Sequence, residues 1–117
     1  MDPMKRARLQ AAGVDVDEAL ERFLQNEALL MKFLARLPAD PTFGQLCAAM
    51  DAGDVQAAFA AAHTLKGLAG NLSLRRLHQA VSRQVELLRG GGLAAAAELM
   101  PEIREAWQAA ASAAAEN

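Results

Sequence analysis

Apolar residues recur at helical spacing along nearly the whole chain, and no segment alternates apolar and polar positions over a strand length. Leu77, Val81, Val85 and Leu88 form one stripe, and Leu30, Phe33, Leu34 and Leu37 another. Phe43, Leu46, Cys47 and Met50 form a third. The residues between stripes set the boundaries. Met4 to Ala12 is a short helical segment ending at Gly13. Asp15 followed by Glu18 reads as a capping box that opens a helix through Gln25. Asn26 caps Glu27 to Leu37, which Pro38 stops. Asp40-Pro41 supplies an N-cap and first helical position for a helix ending near Gly53. Asp54 caps Val55 to about Asn71, and Ser73 caps Leu74 to Arg89. Gly90-Gly91-Gly92 ends that helix and is the most flexible-looking point. The last helix runs from Leu93 to near Ala114, with Pro101 kinking or restarting it and a tail fraying from Ala109 onward. The pattern predicts an all-α chain: an antiparallel, up-down four-helix bundle with additional short helices at the N-terminal end.

A length of 117 residues suits one domain over 1–117, with a core at about 13–110, a short helix in 1–12 and a tail at 111–117. Hydrophobic residues make up 53% of the chain but aromatics only 4%, and much of the apolar content is alanine, which favours closely packed helices. A net charge of −2, from 12 basic and 14 acidic residues, argues against nucleic acid as the main ligand. Lys5, Arg6 and Arg8 read as a solvated helix face. No apolar run approaches the roughly 18–20 residues that span a bilayer. The N-terminus lacks a signal peptide's apolar stretch, so a soluble, cytoplasmic protein is expected. Cys47 lies among Leu46, Ala48, Ala49 and Met50, with no histidine or basic residue close in sequence, and reads as a small core residue.

The candidate chemistry lies within Val55 to Asn71. His63, Lys66 and Gly67 are spaced i, i+3 and i+4, so their side-chain positions are neighbours on one helix face. At roughly 100° per residue, Phe59 and Gly70 fall within about 60° of His63. Ala58, Ala61, Leu65, Leu68, Ala69 and Leu72 fall on the opposite side. With that apolar stripe on a core, His63 faces outward, and Phe59 becomes a candidate docking contact. Gly67 and Gly70 each cost about 0.5–1 kcal/mol relative to alanine inside a helix. Close approach of another molecule offsets that cost, or close packing of a neighbouring helix does.

The run Ala62-His63-Thr64-Leu65-Lys66-Gly67-Leu68-Ala69-Gly70-Asn71-Leu72 resembles the central motif of histidine-containing phosphotransfer (HPt) domains. The lead-in Ala52-Gly53-Asp54, the run Asp17 to Phe23 and the pair Asn26-Glu27 are similar too, so the likeness covers roughly Gly13 to Trp107. Ser73 departs from it, since many members have glycine there. The resemblance implies a stand-alone, monomeric phosphorelay carrier. His63 would accept a phosphoryl group from a receiver-domain aspartate and pass it to another receiver. A solvent-facing histidine suits this, because a neutral imidazole carries a nucleophilic ring-nitrogen lone pair that a docking partner can reach. Lys66 would offset phosphoryl charge, and Gly67 would leave room for the receiver. Gln56, Phe59, Ala60 and Gly70 are the expected docking residues. Implied partners are response-regulator receivers and a hybrid histidine kinase, with no nucleic acid and no membrane. No cofactor or metal is expected on this chain; magnesium would come with the receiver. Gly90 to Gly92 lack the G-K-[ST] pattern of an ATP phosphate loop, so the chain is not expected to be an enzyme in its own right.

Two other classes compete. One is a non-catalytic helical adaptor that binds receivers or other signalling proteins. The other is a helical metalloprotein or hydrolase, against which His63 and His78, the only histidines, stand outside any Glu-x-x-His or His-Glu-x-x-His arrangement. His78 directly follows core-facing Leu77, which suits a structural role.

Overall fold

Short polar side chains start the helices. In the computed structural model, which describes residues 1–115, Asp2 accepts from the amides of Met4 and Lys5 at the start of α1 (Pro3–Ala11). Asp15 accepts from Glu18 at the start of α2 (Val16–Arg22), and Asn26 from Leu29 at the start of α3 (Glu27–Leu34), each at 3.0 Å. Asp40 accepts from Thr42 at 2.8 Å as α4 (Thr42–Ala52) begins, and Asp54 from Ala57 at 3.0 Å to open α5 (Val55–Asn71). Such a cap is worth about 1 kcal/mol. The chain continues through α6 (Arg75–Arg89), α7 (Leu93–Glu98) and α8 (Met100–Ala115), with no named strand among the described residues.

The longer helices α4, α5, α6 and α8 form the bundle, in an envelope of 42 × 23 × 19 Å. Helix α5 packs between α4 and α6. Its core face is Ala58, Ala62, Leu65 and Ala69, all at 0% exposure; the three alanines let its neighbours approach closely. Helix α8 closes the ring. Trp107 stacks on Phe43 of α4 with centroids 5.9 Å apart, and Arg83 of α6 bonds Glu102 at 2.7 Å. Leu46, Leu65, Leu77, Val81, Val85 and Ile103 fill the space between.

Several elements depart from the sequence reading. The segment expected to be helical to Leu37 stops at Leu34, and a 3-10 turn (Leu37–Ala39) follows, with Leu37 buried and Pro38 contributing no amide donor. Helix α2 ends at Arg22 rather than Gln25, because Leu24 and Gln25 adopt left-handed φ of 53° and 62°. Ser73 does not cap α6. It is buried at φ 55°, its hydroxyl donates to Glu18 at 2.9 Å, and its carbonyl accepts from the Asp15 amide at 2.9 Å. The capping box is thereby opened, and α2 is pinned to the α5–α6 turn.

Pro101 restarts the final helix: α7 ends at Glu98, and α8 begins at Met100. The fraying expected from Ala109 does not occur within the described residues. Helix α8 runs to Ala115, Ala110, Ala113 and Ala114 are buried, and Lys5 donates to the Ala114 carbonyl at 3.0 Å. Residues 116 and 117 lie outside the described residues. Lys5 and Arg6 are accordingly half-buried ties rather than a solvated face, with Arg6 bonded to Asp17. Cys47 is half-buried at the α4–α8 seam, not central to the core, and Arg104 donates to its Sγ at 3.5 Å.

Candidate functional site

Helix α5 turns one face fully inward, and this decides where its polar residues go. The inward face takes Ala62, whereas Ala61 and Leu68 are only half-buried. His63 and Gly67 are exposed, and Lys66 is half-buried beside them. His63 and Lys66 are the only ionisable residues between Val55 and Asn71, so this face carries no negative charge of its own. A Cβ built at Gly67 meets nothing within 4 Å. Alanine there should raise stability by about 0.5–1 kcal/mol through helix propensity. Urea unfolding checks this; a loss of stability would show that the space is not open.

Gly70 is different. A Cβ there would lie 3.5 Å from His78 Cδ2 and 3.6 Å from His78 Nε2, ordinary contact distances. Gly70 faces α6, where the half-buried His78 ring lies over it at a distance that would still admit a methyl group. Open space lies over Gly67, whereas Gly70 is covered by the His78 ring of the neighbouring helix without close packing that demands glycine.

Phe59, one turn before His63, is half-buried and stacks on the imidazole with centroids 6.0 Å apart and planes 12° apart. The Arg89 guanidinium carbon lies 5.1 Å from the Phe59 ring centroid. Phe59 and Gln56 share a shallow groove of about 420 Å³ with Val55, Leu88, Arg89 and Gly91. Ala60 is exposed outside that groove. The structure thus brings together His63, Lys66, Gly67, Phe59 and Gln56, leaves Ala60 beside them, and turns Gly70 toward α6.

Sequence reasoning missed Arg89, which reaches this face from the last turn of the next helix. It also missed an apolar groove of about 820 Å³ between α2–α3 and the C-terminal end of α5, lined in part by Phe23, Leu24, Leu29, Phe33 and Leu68. Leu24 is 89% exposed, and Leu29 and Phe33 are each 39% exposed. Arg36 lies 4.9 Å from the Phe33 ring centroid. The available signal was the pair Leu29 and Phe33, spaced i, i+4 beside the buried pair Leu30 and Leu34.

Among the described residues, no group of three or more His, Cys, Asp and Glu side chains could hold a metal ion, and no helix is long and apolar enough to cross a membrane. A helical bundle that presents a histidine on an open face, beside a shallow groove that shares Phe59 with it, belongs to the class of docking and carrier modules. The family model of the Hpt domain matches residues 10–113, and the chain belongs to that family. Its role is therefore histidine phosphotransfer in phosphorelays, as a phosphocarrier that interacts with receiver domains of response regulators and with kinases. Neither a curated protein nor a solved structure matches the chain.

Proposed function

We propose that His63 is the phosphorylated residue of a single-domain, monomeric carrier working in the cytoplasm. The observation that carries this reading is the exposed imidazole on α5, beside Lys66 and the open space at Gly67. In the forward step a lone pair on a ring nitrogen forms the N–P bond. The O–P bond of the aspartyl phosphate breaks, and the carboxylate leaves with the electron pair. The other ring nitrogen keeps its proton. Attack by a second receiver's aspartate on phosphorus reverses the process. Lys66 offsets the phosphoryl charge through its ammonium group, and the receiver supplies the divalent metal.

The receiver docks over the open face, between the groove at Gln56 and Phe59 and the apolar groove at Leu24, Leu29 and Phe33. Ala60 is exposed one turn before His63, and Gly70 lies one turn beyond Lys66 and Gly67, under the His78 ring. Incubation with phosphorylated receiver domains, followed by peptide mapping, should place an acid-labile phosphate on His63. No transfer from any receiver to folded protein would sink the reading, as would phosphate on another residue. Gly67→Gln should slow transfer from a receiver by about tenfold or more, equivalent to ~1.4 kcal/mol of barrier, while labelling by phosphoramidate stays at the wild-type rate. Equal slowing with both donors would show that Gly67 does not act through receiver access.

A further inference from the structure

We infer that Phe59 and Arg89 are positioning residues that fix the imidazole of His63 for phosphoryl transfer, an inference that rests on the reading of His63 as the carrier. His63 is exposed, and its ring has no hydrogen-bond partner among the described residues. A free ring on a helix surface samples several rotamers, and a docked receiver must select one. Here one arrangement is held from the side. The Phe59 ring lies nearly parallel to the imidazole, with planes 12° apart and centroids 6.0 Å apart. Offset, near-parallel packing of this kind constrains the tilt of the imidazole plane. The nucleophilic lone pair lies in the ring plane, so this contact can hold the imidazole without blocking attack on phosphorus.

Phe59 is itself held from the next helix. The Arg89 guanidinium carbon sits 5.1 Å from its centroid, within cation–π range, and Arg89 Nε donates to Glu86 at 3.3 Å. Arg89 is the last residue of α6, ahead of Gly90-Gly91-Gly92, so the brace ties the end of that helix to the ring of His63. Phe59 is half-buried and also packs against the hydrophobic core, so its ring is held by the core as well as by Arg89, and the brace gives that ring a purpose beyond docking.

The test separates positioning from docking. In the full unphosphorylated chain, the carbon-bound ring protons of His63 should show ring-current shifts from Phe59. Phe59→Leu should remove them while keeping most of the packed apolar volume, and Phe59→Tyr should retain them. In transfer from a phosphorylated receiver, Phe59→Leu should lower the saturating rate about three- to tenfold, over and above any change in KM, in keeping with the usual strength of an aromatic pair. Phe59→Tyr should restore it. Arg89→Ala should lower the rate about twofold or more, and Arg89→Lys should recover part of the loss. Unchanged His63 proton shifts in Phe59→Leu would overturn the inference. So would a raised KM at an unchanged saturating rate, which would make Phe59 a docking contact and nothing more. Failure of the carrier reading registers separately, as absence of phosphate on His63 in wild-type protein whose His63 shifts still depend on Phe59.

Discussion

A His63→Gln chain keeps the wild-type fold and takes up no phosphate from a phosphorylated receiver. Retention of the fold follows from exposure: the imidazole leaves the surface without opening a core cavity, and its described ring contact is the stack on Phe59. Exposed substitutions of this kind stay within roughly 0.5 kcal/mol, and loss of the stack adds about 0.5–1.5 kcal/mol. Glutamine is also a good helix former, so α5 persists. Loss of labelling follows from chemistry, because a carboxamide has no nucleophilic lone pair comparable to that of imidazole. Size and polarity are roughly kept, so receiver binding should persist. Circular dichroism, receiver titration and phosphate mapping read the three parts separately. Residual acid-labile phosphate in this variant would remove His63 from the carrier role. Unchanged signalling by it would favour the adaptor reading instead.

The face that variant probes was legible because helix geometry converts spacing directly into adjacency. His63, Lys66 and Gly67 need nothing beyond the i, i+3, i+4 rule to meet, and the caps at Asp15, Asn26 and Asp54 act within three residues of themselves. What stayed hidden depends on contacts between elements. Ser73 looks like an N-cap locally, yet its hydroxyl goes to Glu18, 55 positions away. Arg89 belongs to the site only because α6 runs antiparallel to α5 and returns its last turn toward Phe59. Gly67 and Gly70 look alike in sequence; only the position of His78 distinguishes the open one from the covered one. The tail illustrates the same limit, since its alanines are ordinary surface formers until α1 covers them and Lys5 reaches the Ala114 carbonyl.

Gly13→Ala should be the most damaging single-methyl change on the surface of this fold, costing about 2–5 kcal/mol. Gly13 takes φ +93°, a conformation that side chains rarely adopt, and a Cβ there would stand 2.6 Å from the Cβ of Arg76. The clash is with an atom fixed to the backbone of α6, not with the far end of a flexible chain. Left-handed strain of about 1–2 kcal/mol therefore adds to an overpacking term of about 1–3 kcal/mol. The position also does the work expected of Ser73. The Gly13 carbonyl accepts from the amides of Arg75 at 2.9 Å and Arg76 at 3.4 Å, satisfying donors at the start of α6, while Val14 and Leu74 form a bridge alongside. Pushing the α1–α2 turn away loosens that end of α6 as well. Thermal unfolding should show a midpoint lowered by roughly 8–20 °C. Gly91→Ala is the control: φ is +76° there, but nothing lies within 4 Å of the added methyl, so only the strain term applies. Equal losses at the two positions would mean that the Arg76 contact relaxes freely. A larger loss at Gly13 measures how firmly the N-terminal turn holds the helix that carries Arg89 to Phe59.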